Sequence, residues 1–206
     1  MSLENQWVNG IRGYANATQK FIEATLSIDF WDLHRDFIEF IPKKKLSQLL
    51  DIGAGIGRDA WELSKMGHSV VAVEPTKEYL EEGKRLFDMP EIKWIDDSLP
   101  NLALLTMCNH FDFILASGVF HHLDSSDQKT AIMRVSQLLK TKGVFALSLR
   151  NGPPGVGTWV FPTDSFSTIK NAKSCGLDLC LRMDNQPSLL RGKENVTWSK
   201  LVFQKT

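Results

Sequence analysis

Leu49-Leu50-Asp51-Ile52-Gly53-Ala54-Gly55-Ile56-Gly57-Arg58-Asp59 is the stretch that decides the fold: an apolar run ends in an acid, and three alternating glycines follow. A continuous apolar run of this kind asks for a buried parallel strand, and the glycines for a tight turn that opens a helix. Lacking side chains, Gly53 and Gly55 let a ligand lie directly against the backbone, while Gly57 allows close helix–strand contact. The spacing is G-x-G-x-G, not the G-x-G-x-x-G of the dinucleotide fingerprint, and Asp51 stands two residues before the first glycine. A carboxylate there suits a cationic ligand group better than a pyrophosphate, which wants bare amides at a helix N-terminus.

Outward from this turn, strand and helix patterns alternate from Leu46 onward, which predicts a mainly parallel sheet with helices on both faces. After the first helix, closed by Gly67, come the apolar strand Ser69 to Val73 with Glu74 and Pro75 at its carboxyl end, and a helix capped by Thr76. Glu91 to Asp97 reads as a third strand and Phe111 to Ala116 as a fourth; the helix after it carries Ile132, Val135, Leu138 and Leu139 on one face. A fifth strand, Val144 to Leu149, opens at Gly143. The rhythm then changes: a Gly- and Pro-rich loop leads to a helix capped by Thr163 and closed by Gly176, and two strands follow near 177–183 and 195–204. With no helix between them, those two must pair antiparallel or leave the sheet. Upstream, residues 5–41 read as helical in two pieces that break near Ser27-Ile28-Asp29, with Asp29 as N-cap. The second piece is an amphipathic helix from Phe30 to Ile41, ended by Pro42.

Asp51-x-Gly53-x-Gly55-x-Gly57 resembles motif I of the class I S-adenosylmethionine-dependent methyltransferases, and five βα units closed by a hairpin resemble that family's sheet over roughly residues 46–206. The resemblance implies a Rossmann-like α/β fold with strand order 3-2-1-4-5-7-6, strand seven antiparallel, in a single domain of residues 1–206. Within it, 1–45 would be N-terminal helices acting as a lid, 46–150 the cofactor-binding core, and 151–206 a substrate loop, helix and terminal hairpin. It also implies S-adenosyl-L-methionine as cofactor, held by Asp51, Gly53, Ala54, Gly55, Gly57, Glu74, Pro75, Asp97, Ser98, Ser117 and Gly118.

The strand ends carry the chemistry. A carboxylate at Glu74 can accept both hydroxyls of a ribose, which fits NAD as well as S-adenosylmethionine. In the family, an acid after the third strand accepts from the adenine amine, and alignment favours Asp97 over Asp96, with the Ser98 amide as donor. Ser117-Gly118-Val119-Phe120-His121-His122-Leu123 resembles motif IV of the small-molecule members, where carbonyls near Ser117 and Gly118 face the methionine ammonium. Adjacent histidines point in different directions and rarely share one ion, so no metal site is read here. A neutral imidazole can take a proton near pH 7, which makes His121 and His122 candidate general bases against a structural hydrogen bond, with Tyr14 a further catalytic candidate.

On the substrate side, Arg150, Trp159 and Arg191 are candidates, because forked guanidiniums hold carboxylates or phosphates; ordinary salt bridges explain the arginines equally well. The stretches Leu149-Arg150-Asn151-Gly152-Pro153 and Arg191 to Trp198 resemble those of uncharacterised bacterial members of the family. Trp7, Tyr14 and Trp31 mark the N-terminal helices as a lid over the methyl donor, or as simple packing.

Composition narrows the alternatives. Lys plus Arg is 24 and Asp plus Glu is 24, with no basic stripe, which argues against a general nucleic-acid binder. No apolar run approaches the length of a membrane span, and three sparse cysteines without a zinc spacing fit a reducing cytoplasm, with Cys175 and Cys180 expected as packed thiols. The expectation is methyl transfer to a small-molecule acceptor. A methyltransferase acting on protein or RNA and a non-catalytic cofactor-binding module of the same fold stay open. A nicotinamide oxidoreductase is disfavoured by the glycine spacing, Asp51 and the terminal hairpin.

Overall fold

A computed structural model of the chain describes residues 18–154 and 160–206. The alternating pattern becomes one seven-stranded sheet of β1 (Gln48–Ile52), β2 (Ser69–Val73), β3 (Ile92–Ile95), β4 (Phe111–Ser117), β5 (Leu139–Asn151), β6 (Leu177–Pro187) and β7 (Thr197–Lys205). Strand order is β3-β2-β1-β4-β5-β7-β6. The first five strands pair in parallel. Strand β7 runs antiparallel between β5 and β6, as two successive strands without a crossover require.

Helices α1 (Thr18–Leu26), α2 (Phe30–His34), α3 (Arg58–Lys65), α4 (Lys77–Leu86), α5 (Ser125–Leu138) and α6 (Ser165–Ser174) complete the described elements. The central strands read as unbroken apolar runs because both faces are covered. Successive residues point to opposite faces, so Leu50, Ile52, Val71 and Val73 join Ile132 and Val135 of α5 in one core. Leu49, Val70 and Ala72 join Phe30, Phe37 and Leu63 in the other. Strand order reverses at β1, whose neighbours are β2 and β4, and this places the ligand-binding crevice beyond the carboxyl ends of these strands.

The break at Ser27-Ile28-Asp29 is present, and the Asp29 carboxylate accepts from the Trp31 amide at 2.7 Å as an N-cap. The helix expected over Phe30 to Ile41 is shorter: α2 ends at His34, and Ile38–Phe40 forms a single 3-10 turn. The Phe37 amide reaches back only three residues, to the His34 carbonyl at 2.7 Å, so the chain tightens and brings Phe30, His34, Phe37 and Ile41 all into the interior. Thr163 does not cap α6; Asp164 does, accepting from the Ser167 amide at 2.7 Å. The Thr163 hydroxyl instead donates to the Arg150 carbonyl at 3.0 Å. Cys180 is exposed rather than packed, because it lies on the outermost strand of the sheet, and Cys175 is half-buried. Among the described residues, no helix is long and apolar enough to cross a membrane.

Candidate functional site

Beyond the ends of β1, β2 and β4 lies a cavity with about 700 Å³ of empty space, part of it open to solvent. The glycine turn forms its floor. Gly53, Gly55 and Gly57 have φ of 67°, 57° and 83°, the left-handed region that side chains rarely tolerate. A Cβ on Gly53 would stand 2.5 Å from Val119, and one on Gly55 3.0 Å from the Phe21 ring. Gly57 faces away from the cavity: a Cβ there would meet Trp94 at 2.5 Å, so this glycine serves the close approach of α3 to the sheet. The turn is pinned by the Gly53 and Ala54 amides, which donate to the Val73 carbonyl at 2.8 and 2.9 Å. Ala54 packs into the core and does not line the cavity.

The strand-end acids surround this floor. Glu74 is buried, and its carboxylate accepts from the Gly55 amide and the Thr76 amide, each at 2.8 Å. It therefore ties the glycine turn to the start of α4. Burial pushes its carboxyl above the ordinary range, while the Thr76 and Gly55 amides pull the other way. Asp97 is buried against the cavity, and Asp96 is exposed. One Asp97 oxygen accepts from the Ser98 amide at 2.8 Å and the other from the Leu104 amide at 2.7 Å. The Ser98 amide, expected to face an adenine, is thus engaged within its own turn.

Asp51 lies beneath the turn at 2% exposure, outside the cavity lining, and its Oδ2 has no hydrogen-bond partner among the described residues. Burial and the neighbouring Asp59 push its carboxyl well above the usual range; Arg58 opposes this and Glu74 adds to it. Asp59 goes the other way. Burial disfavours its charge, yet His34 and Arg58 hold it well below the carboxylate range. His34 Nε2 lies 2.8 Å from Asp59 Oδ2, and Arg58 Nε donates to Asp59 Oδ1 at 2.8 Å.

Arg58 also donates to the carbonyls of Thr25 at 2.8 Å and Ile28 at 3.1 Å, and so carries α1 to the cavity mouth. Helix α1 buries no residue outright. Its Phe21 ring stacks on Tyr79 at 4.2 Å between centroids, and both rings line the cavity. Phe21 and Tyr79 were invisible to motif reading. Tyr79 lies in the first turn of α4, just after Glu74, Pro75 and Thr76, and that position is the one signal that pointed to it.

At the opposite end, Ser117, Gly118, Val119 and His122 line the cavity. The Gly118 amide donates to the Ser148 hydroxyl of β5 at 2.9 Å. His121 and His122 sit in a buried 3-10 turn, Phe120–His122, with ring centroids 3.9 Å apart. Behind them the Trp198 ring meets His121 edge-on at 6.4 Å. Buried Gln128 holds this turn by donating to the carbonyls of Leu123 at 2.9 Å and Pro162 at 3.1 Å, and the Phe161 amide donates to the His121 carbonyl at 2.9 Å.

The two arginines expected on the substrate side do not line the cavity. Arg150 is buried outside the cavity lining, and its guanidinium donates to the carbonyls of Gly152 at 3.3 Å and Pro153 at 2.6 Å, which shapes the loop after β5. Arg191 is exposed between β6 and β7. Trp7, Tyr14 and Trp159 lie outside the described residues. Trp31 is 48% exposed, with its ring edge against Phe30, and does not line the cavity.

Among the described residues, two carboxylates and no lysine or arginine line the cavity. Such a donor set suits a cationic nucleoside and opposes a pyrophosphate. The reversal of strand order and the antiparallel β7 set this crevice in a seven-stranded Rossmann-like sheet.

Comparison with known proteins agrees. Residues 49–143 match the model of a family described as methyltransferase domain. An uncharacterised methyltransferase of Bacillus thuringiensis is 29% identical over 119 residues, 55% of this chain and 52% of the relative. The chain thus spans about half the length of the curated relatives it matches. Among solved structures, a TehB-like SAM-dependent methyltransferase from Corynebacterium glutamicum aligns with TM-score 0.68 at 22% identity, over 93% of this chain and 97% of the other. A Burkholderia thailandensis 1,6-didemethyltoxoflavin-N1-methyltransferase aligns with TM-score 0.62 at 19% identity, over 94% and 89%. Residues 49–143 thus match a methyltransferase-domain family, and the chain shares the fold of S-adenosylmethionine-dependent methyltransferases.

The residues present fit that family's cofactor. Gly53 and Gly55 leave a cradle that a Cβ would fill, the lining is acidic, and a buried Asp51 oxygen under the turn lacks a partner among the described residues.

Proposed function

We propose that the chain binds S-adenosylmethionine and transfers its methyl group to a small-molecule acceptor. One observation carries this reading: a single cavity joins the glycine turn, two strand-end carboxylates, a stacked aromatic cover and a histidine at its far end. When bound, the cofactor supplies an electrophilic methyl on a sulfonium. Glu74 and Asp97 would hold its nucleoside, and Gly53 and Gly55 admit it against the backbone. The segment Ser117–Val119 would face the methionine end.

The protein's share of the catalysis is positioning. It sets a nucleophile about 3 Å from the transferable carbon and in line with the departing sulfur. Phe21 and Tyr79 keep water from the nucleoside side. The balanced charge supports the same choice over RNA.

S-adenosylhomocysteine at about a hundredfold over its Kd should stabilise the fold by roughly 2.7 kcal/mol, raising the melting temperature, while NAD should not. A rise with NAD alone overturns the reading. Release of S-adenosylhomocysteine from S-adenosylmethionine should then require a small-metabolite extract; release with protein or RNA fractions alone would move the acceptor to that class.

A further inference from the structure

A ring carried by α1 stands where the cavity floor is barest. Gly55 has no side chain, and the place a Cβ would take there lies 3.0 Å from the Phe21 ring. That ring is half-buried and stacks on the buried Tyr79, with the two planes 8° apart. A ligand laid against the Gly55 backbone and the Phe21 ring would compete for the same space. The ring must therefore shift before a ligand reaches the floor, and it can close over the ligand afterwards.

The residue that fixes the ring belongs to the glycine turn's own helix. Arg58 directly follows Gly57, and its side chain is only 12% exposed. One side of its guanidinium engages Asp59, with Nε donating to Oδ1 at 2.8 Å and Nη2 lying 2.6 Å from the same oxygen. From the other side, Nη1 donates to the carbonyls of Thr25 at 2.8 Å and Ile28 at 3.1 Å. These two carbonyls flank the break between α1 and α2. Beyond the break α2 is anchored: Phe30 and His34 are buried, and His34 Nε2 lies 2.8 Å from the same Asp59. Before it, α1 has nine residues and buries none of them outright. A helix that short does not hold itself together in water. A cation against carbonyls at its C-terminus is favourable, and a planar fork can serve Asp59 and both carbonyls together, which a lysine cannot.

We propose that Arg58 is the positioning residue of the cofactor's entrance: it sets the Phe21 ring over Gly55, and the cofactor reaches the floor when α1 swings away about residues 27–29. This rests on the methyltransferase reading and adds to it the way in. A ligand that enters only during the open fraction associates more slowly by that fraction. A stack of the Phe21–Tyr79 kind biases such an equilibrium by about two- to tenfold.

The test follows S-adenosylhomocysteine association with the full chain by stopped-flow tryptophan fluorescence. Phe21→Ala should steepen the dependence of the observed rate on ligand concentration by about two- to tenfold. Arg58→Lys keeps a cation beside Asp59 but loses the fork, and it should steepen the slope as well. Added to Phe21→Ala it should change the slope no further, because both act on one opening; independent packing losses would multiply. A Phe21→Ala slope equal to or below wild type overturns the proposal, as do multiplying effects. The Phe21→Ala slope decides alone if Arg58→Lys does not fold.

Failure of the cofactor reading looks different. If neither wild type nor Phe21→Ala binds S-adenosylhomocysteine, that reading falls and this proposal with it, whereas binding with an unchanged slope removes the gate alone. Hydrogen exchange adds a check without ligand. Amides of residues 22–26 should exchange through an opening that leaves β1 and α3 protected, and faster again in Arg58→Lys. Exchange of residues 22–26 only together with β1 would show that α1 does not open by itself, and would overturn the proposal.

Discussion

The glycine-turn end and the histidine end of one cavity are built by opposite means. The cofactor end comes from the backbone. Three consecutive strand ends and one glycine turn supply amides, carbonyls and two carboxylates, all within the contiguous run from Asp51 to Asp97. The histidine end comes from side chains that are far apart in sequence. His121 and His122 lie after β4, Gln128 in α5, Ser148 and Arg150 in β5, and Trp198 in β7. An arrangement of backbone tolerates few substitutions. An arrangement of side chains can be exchanged residue by residue without disturbing the sheet.

That difference can be broken at several points. The largest effect is expected at Gly53. Gly53→Ala forces a left-handed conformation, about 1–2 kcal/mol, and crowds Val119, about 1–3 kcal/mol more, so denaturant unfolding should show a loss of about 2–5 kcal/mol. An unaffected midpoint would mean the turn can flatten.

Glu74→Ala comes next. It strips the partner from two backbone amides, each worth about 1–3 kcal/mol when left buried and unpaired. Loss of both stability and S-adenosylhomocysteine affinity is expected, and Glu74→Gln should restore part of the stability. A change in affinity alone would show a carboxylate with no structural task. Asp97→Ala should weaken S-adenosylhomocysteine more than Asp96→Ala, since only Asp97 is buried in the cavity; isothermal titration giving the reverse order would undo that assignment.

The fourth expectation concerns protons. Burial holds Asp51 and Glu74 above the ordinary carboxylate range, Asp51 well above it. A cationic ligand favours the ionised forms. Binding should therefore release protons, and affinity should rise with pH through the raised values. Titration in buffers of different ionisation enthalpy measures the release, and uptake of protons would contradict it.

The smallest effect on cofactor affinity is expected at the histidine end. Trp198→Ala removes the ring against His121 but no group from the cofactor end, so S-adenosylhomocysteine affinity should change less than about threefold while turnover falls. A large loss of affinity would show that the two ends are one unit.

Residues 49–59 and the strand–helix rhythm determined the sheet, its order, the glycine turn and the strand-end acids beside it. Hydrophobic period and glycine spacing are local properties, and the topology rules of parallel sheets leave few other arrangements. Gly53, Gly55, Glu74, Pro75, Asp97, Ser98, Ser117 and Gly118 were legible for that reason, and all line the cavity.

What the sequence left open were contacts between distant segments. The stacking of Phe21 on Tyr79, the reach of Arg58 to the Thr25 carbonyl and the setting of His121 against Trp198 have no local signature. The task of Arg150 was likewise decided by its surroundings, since a guanidinium binds a loop carbonyl as readily as a ligand anion. Sequence determined which backbone atoms meet at the crevice, because short-range pattern fixes strands and turns. Only tertiary packing decided which side chains meet above it, because burial and hydrogen bonding are settled among residues that the chain itself keeps far apart.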